Sequence, residues 1–237
     1  QIVEQILQEN GFTGEDYRFK TAGREYPKRE YVVQYQESDL DFVSRWLEYE
    51  GIFYFFKQGD DRETVIFADS AGALDPILGD ETVAFRAQGP ADWFLVETVR
   101  DWNCRFRLVP SEVVLRDYNW RTPSADLKVS SEVGMASWGT VYAYGEHYKD
   151  PAEGAALARI RAEELACRQK LFTGTGNGKG FRAGSTFRLT DHYRADFNTR
   201  YLLTEVRHRS KQAMTLGGPA APVASYHNRT RHGRQHT

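Results

Sequence analysis

The chain has 237 residues and carries 31 Lys and Arg against 33 Asp and Glu, a net charge of -2. That balance removes the single-sign field that draws proteins onto nucleic acid or anionic lipid, so no nucleic-acid partner is expected. Its longest apolar runs, such as residues 52–56, fall far short of the roughly 20 residues a membrane-spanning helix requires, so no integral membrane segment is expected either.

The opening QIVEQILQEN has no initiator methionine, basic leader or small-residue cleavage site, so it reads as part of something longer and without a secretory signal. Ile2, Val3, Ile6 and Leu7 recur at helical spacing ahead of Asn10-Gly11, which predicts a short amphipathic helix followed by a loop to Lys28. Ser38 with Asp41 three residues on fits a capping box, and the acids there suit the positive end of a helix dipole. Leu40, Val43 and Leu47 line one face of that helix beside Phe42 and Trp46, and Asp41 and Arg45 are spaced for an exposed ion pair. Gly51 can take the left-handed conformation that stops a helix, after which residues 52–56 and 64–67 read as a hairpin around Gln58-Gly59-Asp60-Asp61. The acids Glu37, Asp39, Asp41 and Glu48 therefore have structural work, and the reading favours that over catalysis.

From about Pro90 short strand-like runs alternate with turns, at 93–99, 105–109, 113–116, 127–129 and 139–144, the texture of a barrel or sandwich. One long helix interrupts them, from Pro151, a good first-turn residue, to about Gly174. Strands resume at 185–189 and 201–207. The expected fold class is α+β, with subdomains at 1–89 (helix and hairpin) and 90–216 (a mainly antiparallel barrel-like part holding the long helix). Residues 217–237 contain HNRTRHGRQHT, with no acid, and read as a basic disordered tail.

Candidate chemistry is thin. The run GTGNGKG at 174–180 misses both the P-loop and the dinucleotide pattern, with Thr173, Lys179 and Gly180 in the wrong places, and reads as a flexible connection. His232 and His236 lack the glutamate of a zinc-protease helix, while His147, His192 and His208 read as surface histidines. Cys104 and Cys167 sit in no nucleophile or metal motif and are too few for a disulfide framework, which fits a reducing cytosol. A carboxylate pair for glycoside hydrolysis has no fixed spacing and stays open. The expectation is no catalytic, cofactor or metal residue. Aromatics form 14% of the chain and cluster around Trp46, Trp93 and Trp138, suited to a core or to an assembly surface.

The run YVVQYQESDLDFVSRWLEYEGIFYFF from Tyr31 resembles the hallmark of VgrG, the spike family of type VI secretion systems, and of related Rhs-linked and phage tail hub proteins. Its signature positions here are Tyr35, Glu37, Ser38, Asp39, Phe42, Arg45, Glu50, Gly51, Tyr54 and Phe56, all with structural roles. DYNWRTPSADL at 117–127, the segment 148–164 with Arg159 and Glu163, GSTFRLTDH at 184–192 and NTRYLLTEVRH at 198–208 follow in family order. The resemblance covers roughly residues 1–210. It implies a phage baseplate-hub-like fold and a homotrimer with the tube protein Hcp behind it and a PAAR-repeat protein at the tip. Baseplate and effector proteins would be further partners. It also implies assembly in the bacterial cytoplasm and delivery to the exterior or a target cell. Family members carry a further barrel ahead of the position of Gln1 and an oligonucleotide-binding-fold barrel and β-helical needle behind, so this chain is expected to be a fragment or a shortened copy. The alternatives are a phage tail hub, a cell-wall-degrading enzyme or effector, and a cargo-binding module using the tail.

Overall fold

A computed structural model describes residues 1–22, 25–87, 96–134, 138–211 and 225–234. The chain forms two units, each discontinuous in sequence: Gln1–Ala73 with Leu108–Ala166, and Leu74–Arg107 with Cys167–Thr237. This differs from the expected cuts at 89/90 and 216/217, because the chain leaves the first unit before completing it and returns later.

In the first unit, α1 (Ile2–Glu9) lays Val3, Ile6 and Leu7 against a cluster of Tyr17, Val43, Leu47 and Phe67. The segment expected as a loop contains a strand, β1 (Tyr17–Lys20), parallel to β3 (Glu63–Ala68); β2 (Phe53–Gln58) runs antiparallel on the other side of β3. The strand was missed because four residues with one inward ring, Tyr17, carry almost no periodic pattern. Helix α2 (Asp39–Glu50) lies between the segment leading from β1 and β2. A second three-stranded sheet, ordered β7 (Leu127–Glu132), β6 (Glu112–Asp117), β8 (Thr140–Tyr144), carries α3 (Pro151–Cys167). Asp150 caps α3 by accepting from the amides of Ala152 and Glu153, each at 2.9 Å, with Pro151 in the first turn as expected. Leu157, Ala158 and Ala162 then pack on Val113, Leu115 and Leu127.

The second unit is a closed six-stranded barrel, ordered β10 (Thr186–Thr190), β11 (Arg200–Lys211), β12 (Ser225–Arg234), β9 (Lys170–Gly176), β5 (Thr98–Phe106), β4 (Thr82–Phe85). Four of its pairings are antiparallel; β4 pairs in parallel with β5 and with β10. Trp102, Phe172, Phe187 and Tyr201 fill its interior, with Trp102 and Tyr201 edge to face at 4.8 Å.

Several expectations change here. The long helix belongs with β6 to β8, not with the barrel, and ends at Cys167; residues 170–176 are the strand β9, held between β12 and β5. One strand, β5, runs through the gap left between 93–99 and 105–109, and residues 93–95 lie outside those described. The expected disordered tail is corrected over Ser225–Arg234: this strand is laddered on both edges, and backbone pairing needs no apolar composition. Residues 217–224 and 235–237, with His236, lie outside the described residues.

The glycine run is not a flexible connection. A Cβ at Gly176 would sit 2.4 Å from the Thr98 carbonyl oxygen, and one at Gly174 would sit 2.5 Å from the Trp102 ring. These glycines let β9 and β5 approach closely, which accounts for them without a phosphate.

His192, expected at the surface, is buried against Phe85, Tyr193 and Phe197. Its Nδ1 accepts from the Arg194 amide at 3.0 Å, so the neutral ring carries its proton on Nε2. Burial pushes its pKa below the ordinary 6.5. The unfolded chain thus binds this proton more tightly, so stability is full above pH 6.5 and declines as pH falls below it. An NMR titration of the ring should show a midpoint below 6.5; a midpoint at or above that value would contradict the buried neutral ring.

Candidate functional site

Glu37, Asp39 and Asp41 lie at the start of α2, and each has a local partner. The Ser38 hydroxyl accepts from the Asp41 amide at 3.2 Å and donates to the Asp41 carboxylate at 2.7 Å. This keeps the expected cap, with the serine hydroxyl in place of its amide as the reciprocal donor. Asp39 accepts from Asn10 Nδ2 at 2.9 Å and Gln34 Nε2 at 2.8 Å, which tie α1 and the preceding segment to the helix start. Arg45 does not pair with Asp41. Its guanidinium takes both oxygens of Glu37, at 2.5 and 3.1 Å, and these bonds hold the Glu37 carboxyl below the usual range. The fork fits Glu37, while the Asp41 carboxylate is engaged by the serine.

At the other end of α2, Gly51 has φ +70°, its amide reaches the Glu48 carbonyl, and the Ile52 amide reaches the Leu47 carbonyl at 2.8 Å. That is a Schellman motif, with Ile52 and Leu47 in the same apolar cluster. A Cβ at Gly51 would lie 2.9 Å from Ile160 Cγ2, so the left-handed turn also lets α3 approach.

Beside this turn lies a buried charge cluster. Arg29 donates to Glu50 Oε1 at 3.0 Å and stands 2.8 Å from Glu153 Oε1, with side-chain exposures of 14%, 11% and 12%. Its guanidinium lies 5.0 Å from the Tyr49 ring centre and 5.9 Å from that of Trp46. Arg161 covers the Tyr49 ring too, at 5.6 Å, and donates to Glu146 Oε2 and the Glu48 carbonyl. The Tyr49 hydroxyl donates to the Glu146 carbonyl at 2.7 Å. Nearby, Glu30 accepts from Arg121 at 2.6 Å and pairs with Lys149 at 3.0 Å, which together bring its pKa down to about 2.

Chemically this cluster holds; it does not transfer protons. Guanidinium stays charged at any physiological pH, so Arg29 and Arg161 serve as fixed cations here. The remaining group, Tyr49, is raised by burial and already donates to a carbonyl. Sequence reasoning placed Glu50 in the signature and missed Arg29, Glu146, Glu153 and Arg161, since partners so far apart leave no spacing to read.

The other signature positions divide cleanly. Phe42 is buried, whereas Tyr35, Tyr54 and Phe56 are exposed. The surface of the described residues includes two concavities. A shallow cavity of about 440 Å³ in the first unit is lined by Arg116, Asp117, Asp126, Tyr118, Tyr142 and Tyr144. One of about 230 Å³ in the second unit is lined by Cys104, Lys170, Arg194 and Asp196 among others. Burial raises the Cys104 thiol, which keeps it protonated and a weak nucleophile at neutral pH. Among the described residues no three His, Cys, Asp or Glu are grouped to hold a metal ion.

Removing Arg29 strands two nearly buried carboxylates, so Arg29→Met should cost about 3–5 kcal/mol in a urea unfolding series. Adding Glu50→Gln and Glu153→Gln should recover most of that loss. Equal losses in the single and triple variants would contradict the charge-pair account.

Comparison with known proteins places the chain in a family. The phage tail baseplate hub (GPD) family matches residues 1–214. Type VI secretion system spike protein VgrG1c of Pseudomonas aeruginosa is 30% identical over 233 residues, 95% of this chain and 31% of that protein. Actin cross-linking toxin VgrG1 of Vibrio cholerae is 30% identical over 234 residues, covering 95% of this chain and 21% of that one. The chain spans about a third of the length of the P. aeruginosa spike proteins it matches. Among solved structures, the E. coli c3393 protein gives a TM-score of 0.63 at 24% identity, covering 98% of this chain and 47% of that chain. It is described as a component of the type VI secretion system with structural similarity to the T4 bacteriophage tail proteins gp27 and gp5. From its signature helix to the strands of its barrel, the chain belongs to the phage tail baseplate hub family.

Proposed function

We propose that this chain is a structural segment of a contractile-injection spike, the hub region that couples the tube to the puncturing tip, and that it works as a homotrimer without catalysis of its own. The observation that carries this reading is the family match across residues 1–214, joined to 30% identity with VgrG spike proteins over nearly the whole chain. The chemistry of the signature acids supports it, since those at the start of α2 and at Glu50 are engaged in capping and ion pairing.

On this reading the tube protein Hcp stacks behind the hub, a PAAR-repeat protein sharpens the tip, and baseplate and effector proteins complete the assembly. The spike assembles in the bacterial cytoplasm and is then delivered to the exterior or a target cell. Toxin activity, such as that named for the V. cholerae relative, would lie in parts of a longer protein outside the matched region.

Light scattering of the purified chain across a concentration series tests the assembly. The expected result is a stable species of about 82 kDa, three times the 27.2 kDa of one chain. A persistent 27.2 kDa monomer would count against hub contacts within this segment.

A further inference from the structure

Two stretches of the first unit are left with backbone groups unpaired and apolar side chains in solvent. The first is the edge strand β2, which pairs only with β3 among the described residues. Its aromatic residues are exposed on both faces of the strand: Phe53 on one, Tyr54 (43%) and Phe56 (54%) on the other. A hydrophobic, aromatic edge strand is a ready template for another strand and is ordinarily covered, charged or bulged.

The second is the segment 31–35, YVVQY, which runs without turn or bend and belongs to no strand. Tyr31 (84%), Val33 (41%) and Tyr35 (73%) are exposed. Among the described residues none of its backbone groups bonds to other backbone. β-branched and aromatic residues in such a run suit a half-buried strand.

The open edges of these stretches match. The Val65 amide donates to the Asp16 carbonyl at 2.8 Å, so the odd residues of β3 face β1 and its even residues face β2. Ile66 and Ala68 stand opposite Phe55 and Phe53, so those residues bond inward, and Tyr54, Phe56 and Gln58 aim their backbone groups outward. In the segment, Val33 turns its carbonyl to Arg45 at 3.3 Å, which leaves Val32 and Gln34 on the open side. An antiparallel pairing with Val32 opposite Phe56 and Gln34 opposite Tyr54 joins even residues to even residues.

We propose that residues 31–35 of one copy add as an antiparallel strand to the open edge of β2 in a second copy, with Val33 opposite Phe55. This rests on the trimer reading and specifies its contact. The two surfaces differ, so each copy gives a strand to one neighbour and receives one from the other, a head-to-tail contact that three copies related by a threefold axis close into a ring. Strand addition of this kind draws affinity from main-chain bonds and specificity from alternate side chains.

The test uses the full chain with Cys104→Ser and Cys167→Ser, to which Val33→Cys and Phe55→Cys are added. Val33 and Phe55 would form a non-hydrogen-bonded pair, whose close Cα atoms suit a disulfide. Oxidation should give covalent dimers and trimers on a non-reducing gel, and the two single-cysteine chains should cross-link only when mixed. Separately, Val32→Pro should leave the circular dichroism of the protomer unchanged and abolish the trimer, because among the described residues this residue makes no backbone bond to backbone within its own copy. A trimer that does not cross-link, a bridge that closes within one chain, or a proline variant that still trimerises would overturn the strand exchange and leave the trimer reading standing. A parent chain that stays monomeric would overturn both.

Discussion

The first unit depends on a cation kept out of water. Arg29 comes from a segment without helix or strand, yet it sits between Glu50 at the end of α2 and Glu153 in the first turn of α3. Burying the three charges brings little net stability by itself, because desolvation offsets most of their attraction. What it brings is a constraint. With any one partner missing, the remaining charges are stranded in a low-dielectric site, so the segment, α2 and α3 are held to one arrangement. The Gly51 turn against Ile160 and the Tyr49 hydroxyl on the Glu146 carbonyl act across the same joint.

That joint matters because the chain leaves this unit after Ala73 and returns at Leu108. Bringing the two stretches together has a loop-closure cost that no local contact offsets, though it grows only slowly with length. The barrel of the second unit faces the same problem, since β4 and β5 precede the excursion through β6, β7, β8 and α3 and the other four strands follow it. There the solution is a closed ladder with an aromatic interior around Trp102. Closure removes sheet edges from the barrel. The first unit keeps them, in two three-stranded sheets, and Tyr54, Phe56, Tyr142 and Tyr144 are exposed on edge strands of those sheets. The barrel thus satisfies its ladder all round, whereas the sheets of the first unit end in open edge strands among the described residues.

How much of this was legible in the sequence follows from distance along the chain. The Ser38 cap, the Gly51 stop, the hairpin after it and the Pro151 start are decided by residues within a few positions of one another, and all are found where the local pattern places them. Arg45 shows the limit even at that range: spacing favours Asp41, but the serine had already engaged it and the fork reached Glu37. The end of α3 was unreadable because RQKLF is a tolerable helix and becomes strand only when β5 and β12 offer their edges. β12 itself is written in the composition of a solvated tail. The charge cluster around Arg29 joins residues with no fixed spacing and was invisible, and the family resemblance identified Glu50 without identifying its partner.

The central claim is that α2 and α3 are one cooperative piece, locked through Arg29 and Gly51. Native-state hydrogen exchange in rising denaturant tests it most directly, because elements that open together share one unfolding free energy. The account predicts that amides at Val43 and Leu47 in α2 and at Leu157 and Ala162 in α3 merge into a single isotherm. Exchange of the α3 amides at denaturant concentrations where α2 remains protected would show that the two helices open independently and would contradict it.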